Sequence, residues 1–356
     1  MHVVHGRNVN DIWPQLIELV RREGRWQETR AGRALVVPVP VATVYSNPTE
    51  RVLLDPVRDA NPFFSIMEPL WMLAGRDDAP WLDRFVGDFS ARFAEEGGRM
   101  HGAYGKRWRD WFNLNLPVQP WQTPKRKGGF EYEPPRDQLN VVVDLLRKNP
   151  QDRQAVIQMW DPSADLGVPG LLDRPCNQQV LLRCDRELVR DIPDHRYLDI
   201  TVTCRSNDLS WGLITANACQ FSTLQEYLAA RIGVEVGTYT QFSNNLHIYE
   251  SAMKQVDLDS ARETARIQYK DGYPGARRLV DDPESFDDDL RAFMADPKAD
   301  HSNRRNSYFQ RVAQPAWLAN EARRRKDWDS ALGAARCIEA PDWRAATVEW
   351  IGRRIK

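Results

Sequence analysis

Three strand-like segments, 155–159, 179–183 and 197–204, follow one another with no helical segment between them. Consecutive strands rule out a strictly alternating, doubly wound arrangement, and the order of the other segments is equally mixed. Residues 10–23 place apolar side chains at helical spacing, and 34–45 alternates and is rich in Val, as a strand pair or one bent strand would be. Asn61-Pro62 caps an apolar helix over 63–73 that Gly75 ends, and another helix is predicted over 80–93. Further helices are expected over 138–147 and 218–231, with a strand over 235–242. Residues 113–137 hold many Pro, Lys and Gly side chains and read as a long surface loop. The stretch 307–356 reads as two or three helices, the final one opened by Pro341-Asp342-Trp343. The expectation is an α+β main domain over 1–290 with a helical extension over 291–356.

The 356 residues, 42% hydrophobic, are enough for a sizeable core. A formal net charge of −1, from 49 basic and 50 acidic side chains, gives no global field to attract nucleic acid or an anionic membrane. The ligand is therefore expected to be small and bound in a local pocket. No apolar run is long enough to span a bilayer, and the first residues lack a signal pattern. Five Cys, at 176, 184, 204, 219 and 337, are scattered and form no Cys-x-x-Cys pair. That argues against a disulfide framework and a zinc site, and it fits the reducing cytoplasm.

Four constellations carry chemistry. Cys176, in Arg174-Pro175-Cys176-Asn177-Gln178-Gln179, follows a Pro and precedes three amides, a poor setting for a core residue. A thiol becomes a nucleophile as thiolate, which a neighbouring cation such as Arg205 favours. The other four Cys lie in apolar segments and read as core. Arg30, Arg153 and Arg205 each lie beside a turn or at a strand edge, and converging guanidinium groups grip a phosphate bidentately. His247 and Tyr249, two apart on a strand, share one face. Glu68 stands inside an apolar helical run, where burial raises a carboxyl pKa and suits it to proton transfer. Each of these residues also has an ordinary structural reading as a solvated, paired or packed side chain.

Together the motifs resemble the thymidylate synthase family and its relatives, the pyrimidine-nucleotide hydroxymethylases, from about residue 30 to 249. The resemblance implies a fold with large sheets packed back to back in a homodimer. It implies that Cys176 adds to C6 of a pyrimidine, and that Arg205, Ser206 and Arg30 bind the phosphate, with Arg153 reaching it from the partner subunit. It implies Glu68 for water and proton transfer at the base, and Tyr104 near the reacting ring. Asn217 then reads the base edge, His247 and Tyr249 hold the sugar hydroxyl, and Asp208 contacts the folate co-substrate, 5,10-methylenetetrahydrofolate. The substrate implied is a pyrimidine nucleoside monophosphate, with neither nucleic acid nor membrane as partner.

The chain departs from ordinary members in places. Asn177 stands where they have His after the nucleophile, Cys204 precedes Arg205, and Gln154 replaces the second Arg of a pair. Gly212-Leu213-Ile214-Thr215-Ala216-Asn217 is one residue longer than their motif, and Asp88-Phe89-Ser90-Ala91-Arg92 lacks their active-site Trp. A helical extension replaces a short apolar C-terminus, a pattern that looks like the phage-type and antibiotic-pathway hydroxymethylases. Losing the Trp and the closing C-terminus implies access of water to the intermediate, so hydroxymethyl transfer to dCMP or dUMP is favoured, with CMP open. Thymidylate synthesis, or a silent nucleotide-binding scaffold, are the alternatives.

Overall fold

The computed structural model describes residues 1–113, 137–187, 196–270 and 274–355. The loop expected over 113–137 lies, apart from its end residues, outside them. Ten strands form two sheets among the described residues. They are β1 (His2–Gly6), β2 (Arg25–Thr29), β3 (Gly32–Val36), β4 (Val41–Tyr45), β5 (Val156–Gln158), β6 (Asn177–Glu187), β7 (Arg196–Cys204), β8 (Asn207–Asp208), β9 (Glu235–Ser243) and β10 (Leu246–Tyr249). The large sheet runs β1-β4-β9-β7-β6-β5 and the small one β2-β3-β10-β8. Segment 34–45 is thus a strand pair whose members enter different sheets. Short β1 and exposed β2 escaped the sequence reading because neither has a clean apolar alternation.

The large sheet is mixed. β6 pairs antiparallel with β7, and β7 pairs parallel with β9. Alternation decides its faces. Leu198, Ile200, Val202 and Cys204 of β7 are buried, with Tyr239 and Gln241 of β9. The intervening Thr201, Thr203, Thr240 and Phe242 are only half-buried. The helix Ala218–Ile232 packs on the buried face of β7 and β9. It is buried from Ala218 to Ala229, as a helix wrapped on all sides must be. Onto it packs the helix Pro62–Leu73, opened by Asn61, whose side chain accepts the N–H groups of Phe63 and Phe64.

The C-terminal segment holds three α-helices, Gln314–Arg324, Trp328–Arg336 and Pro341–Gly352. The first and third lie on the helix Pro62–Leu73. Trp350 meets Phe63 edge to face at 5.6 Å, and Trp317 meets Phe85 at 5.7 Å. A helix Phe286–Ala295 runs across residue 290. Two expectations need correction. The helix predicted over 80–93 is instead a 3-10 turn, Ala79–Arg84, and a short helix, Phe89–Phe93. Gly87 and a left-handed Asp88 break it between them. Cys337 is exposed at the end of its helix, whereas Cys184, Cys204 and Cys219 are buried as expected. No helix of the described residues is long and apolar enough to cross a membrane.

Candidate active site

The start of β6 and the ends of β7 and β9 lie side by side at one end of these central strands of the large sheet. Asn177 pairs with Cys204 across the β6–β7 ladder, and the register slips between Asn177 and Gln179. Such a bulge re-aims side chains where a strand enters a site. One step beyond this pair, the N–H of Arg205 donates to the carbonyl of Cys176 at 2.9 Å, and Arg205 Nε donates to the carbonyl of Pro175 at 2.9 Å. The pairing therefore brings Arg205 beside the thiol although 29 positions separate them in sequence.

Cys176 faces a cavity of about 230 Å³ that Glu68, Tyr104, Ser206, Asp208 and Asn217 also line. Six predicted site residues thus meet in one space. Burial pushes the Cys176 thiol above its ordinary pKa, and Asp173 adds to this, while Arg205 and Arg30 pull the other way. The expected cationic help is present but does not outweigh desolvation in the free protein.

A chain of buried amides sets the cavity floor. Asn177 Nδ2 donates to Tyr104 Oη at 3.0 Å and to Asn217 Oδ1 at 3.1 Å. Gln241 Nε2 donates to Asn177 Oδ1 at 3.0 Å, and the Tyr239 hydroxyl donates to Gln241. On the other side Asn217 Nδ2 donates to Asn207 Oδ1 at 3.0 Å, and Asn207 Nδ2 to Ser243 Oγ at 2.9 Å. Asn217 keeps one N–H and one lone pair for the cavity. Tyr104 Oη also accepts the backbone N–H groups of Cys176 and Asn177, at 3.2 and 3.1 Å, which fixes the backbone at Cys176 against the Tyr104 ring.

The extra residue before Asn217 has a structural answer. Leu209–Asn217 winds as a π-helix, which holds one more residue than an α-helical turn, and it continues into Ala218–Ile232. The surplus is absorbed and Asn217 still lines the cavity. Gly212 permits this winding, since a Cβ there would stand 2.7 Å from Asn207 Oδ1.

Glu68 is buried beside the cavity, and burial raises its pKa to about 8 even though Gln220 Nε2 donates to Oε2 at 2.7 Å. Asp208 accepts the N–H of Trp211 and caps the π-helix; burial raises its pKa too, against the pull of that hydrogen bond, His247 and Arg58. His247 pairs with Asp208 in the small sheet, and its Nδ1 lies 3.0 Å from Asn245 Oδ1. Its ring meets that of Tyr249 at 5.3 Å, so the two share a face as predicted, outside the cavity wall. Tyr249 lines an open cleft that shares Asp208 and Trp211 with the cavity. Arg30 is exposed in the β2–β3 hairpin loop, and Arg153 is exposed in the loop before β5; neither lines the cavity in this chain.

Sequence reasoning missed several walls. Segment 88–92 indeed lacks a Trp, but its Phe89 lines the cavity, and Trp71, Phe93 and Trp211 add an aromatic lining from outside it. Asp173, Gln220 and Asn207 also face the cavity. Only the local polarity beside Cys176 marked Asp173. Asn207 lies between the predicted site residues Ser206 and Asp208, and nothing marked Gln220. No group of His, Cys, Asp and Glu side chains suited to a metal ion occurs among the described residues.

Comparison with known sequences agrees with this geometry. The family model described as thymidylate synthase matches residues 11–270. The chain is 38% identical to the deoxyuridylate hydroxymethyltransferase of Pseudomonas phage M6, over 99% of this chain and 95% of that protein. It is 32% identical to the deoxyuridylate hydroxymethyltransferase of Bacillus phage SP01, over 70% of this chain and 59% of that protein. The thymidylate synthase of Streptococcus mutans is 34% identical over 48% of this chain and 56% of its own length.

Proposed function

From the premise that this chain belongs to the thymidylate synthase family, we propose that it is a folate-dependent deoxyuridylate hydroxymethyltransferase. One observation carries the reading: a thiol, Cys176, and a tethered amide, Asn217, face the same small cavity. Cys176 adds to C6 of the pyrimidine, which makes C5 nucleophilic. Methylenetetrahydrofolate supplies the one-carbon unit that C5 takes up. Water completes the 5-hydroxymethyl group.

The chain's own groups have distinct tasks. Arg205, Arg30 and Ser206 hold the phosphate, and the phosphate's arrival brings the substrate's C6 to the thiol. Asn217 offers its free N–H and lone pair to the O4 and N3–H edge of uracil. Cytosine reverses that pattern, and turning Asn217 to suit it requires Asn177, Gln241 and Asn207 to turn as well. That coupling supports dUMP over dCMP, as do the names of the two phage relatives. Glu68, neutral near pH 7, donates a proton at the base. His247 and Tyr249 take the sugar hydroxyl.

The co-substrate fits the residues present. Phe89, Phe93 and Trp211 offer faces on which a pterin stacks, and the Asp208 carboxylate at the junction with the open cleft accepts from its N–H edge. We further propose a homodimer through the half-buried face of the large sheet, where Leu181, 38% exposed, lies alongside Thr201 and Thr203. Arg153 then reaches the partner's phosphate site. The domain division at 290/291 remains part of this proposal.

A second reading, thymidylate synthesis, draws on Trp71 and Trp211, because aromatic walls exclude water. The test is release of tritium from dUMP labelled at C5, with dihydrofolate followed in parallel. Tritium release without dihydrofolate is expected. Stoichiometric dihydrofolate selects the second reading, and binding without tritium release selects the silent scaffold.

A further inference from the structure

Three carboxyl groups line the cavity, those of Glu68, Asp173 and Asp208. Two are committed. Glu68, with a pKa of about 8, is protonated near neutrality and donates rather than accepts. Asp208 caps the π-helix. Asp173 is differently placed. Its Oδ2 accepts the backbone N–H of Gly102 at 3.1 Å, and Oδ1 has no hydrogen-bond partner among the described residues.

The contact is built into the backbone. A Cβ on Gly102 would stand 2.6 Å from Asp173 Oδ2 and 3.0 Å from the carbonyl carbon of Arg174, so only glycine lets the two segments meet there. Phe89, Phe93 and Met100 wall the same cavity. A carboxylate beside such side chains is costly unless polar partners surround it, and a single N–H leaves most of its lone pairs unfilled. Asp173 is also near enough to Cys176 for its charge to raise the thiol's pKa. A water held on Oδ1 therefore lies close to where the pyrimidine ring reacts.

The geometry points to Asp173 as the group that holds and deprotonates the water completing the hydroxymethyl product, an inference that rests on the reading above. At that stage the nucleotide carries an exocyclic methylene on C5 and the Cys176 sulfur on C6. The water oxygen bonds to the methylene carbon, the π pair moves through C5 onto O4, and the water proton passes to the Asp173 carboxylate. The pair then returns to form C5=C6 and breaks the C6–S bond. Asp173 hands its proton to the freed thiolate, which restores both groups with no net oxidation or reduction. Burial lifts the pKa of Asp173 above the ordinary value despite Gly102 N–H, His101 and Arg107, which makes it a stronger base.

Asp173→Asn keeps the size and an acceptor for Gly102 but removes the base. The protein is given methylenetetrahydrofolate, dUMP tritiated at C5, and 2-mercaptoethanol, a thiol that competes with water for the methylene carbon. In Asp173→Asn the ratio of hydroxymethyl product to tritium released falls by about 100-fold, the lower end for a lost general base. The thioether product rises to match, and Asp173→Glu recovers part of the ratio. An unchanged ratio, or a parallel fall in tritium and product with no thioether, overturns the assignment while leaving hydroxymethylation intact. Wild-type protein that releases no tritium overturns the hydroxymethylation reading, and this inference with it.

Discussion

Asn177 Nδ2 lies 3.1 Å from Asn217 Oδ1, so the residue after Cys176 holds a residue that lines the same cavity as the thiol. The link spans two elements, the first residue of β6 and the last of the π-helix. Both side chains are buried, and their remaining valences go to other amides, to the Tyr104 hydroxyl or to the cavity. Buried polar chains of this kind hold one arrangement because a single unmatched group costs about 1–3 kcal/mol.

Breaking the chain loosens base selection. Asn177→Ala removes one hydrogen bond from Asn217 and leaves Gln241 Nε2 without its acceptor. The ratio of kcat/KM for dUMP to that for dCMP is expected to fall by about tenfold or more, the scale of one lost buried interaction. Gln241→Leu acts in the same direction with a smaller effect, because Asn177 keeps Tyr104 and Asn217. Steady-state kinetics with each nucleotide checks both.

Glu68 gives stability a pH dependence of known sign. Its pKa rises from 4.5 to about 8 on folding, so the native state holds a proton there that the unfolded chain has lost. The stabilising contribution is complete below pH 4.5 and is lost as the pH climbs through 8. Glu68→Gln, always neutral, escapes that loss. Urea unfolding is expected to find the variant gaining on the wild type between these values, on the order of 1 kcal/mol per pH unit at most, and level above them. Its turnover falls, since it has no proton to give.

Cys176→Ser removes the sulfur proposed to form the adduct. Tritium release from C5 is expected to drop by about 10⁴-fold or more, as when a covalent nucleophile is deleted. Nucleotide binding, followed by calorimetry, changes little, because Arg205 and Ser206 are untouched.

The C-terminal helices support the wall that carries Glu68. Trp350 is buried, meets Phe63 edge to face, and has the Arg354 guanidinium carbon 3.3 Å from its ring centre. Trp350→Ala is expected to cost about 3–5 kcal/mol, read by urea unfolding. Arg354→Ala costs far less, because its ion pair with Asp59 is partly exposed.

Residues that act through a local pattern were legible in the sequence. Cys176 stood out against a proline and three amides, and Glu68 against an apolar helix; the structure places both on the cavity. His247 and Tyr249 share a face because strand period 2 dictates it. What escaped depends on distant pairing. Gln220 meets Glu68 only because the helices Pro62–Leu73 and Ala218–Ile232 pack together, and Gln241 meets Asn177 only through the order of strands in the sheet. The extra residue before Asn217 was visible, but its π-helical winding was not, since propensity does not distinguish it from an α-helix.

The most direct measurement runs the reaction in ¹⁸O-labelled water with dUMP and methylenetetrahydrofolate, then weighs the nucleotide. A gain of one CH₂O unit bearing the heavy oxygen, absent in Cys176→Ser, is the predicted result. A gain of CH₂ alone, or a nucleotide returned unchanged, contradicts it.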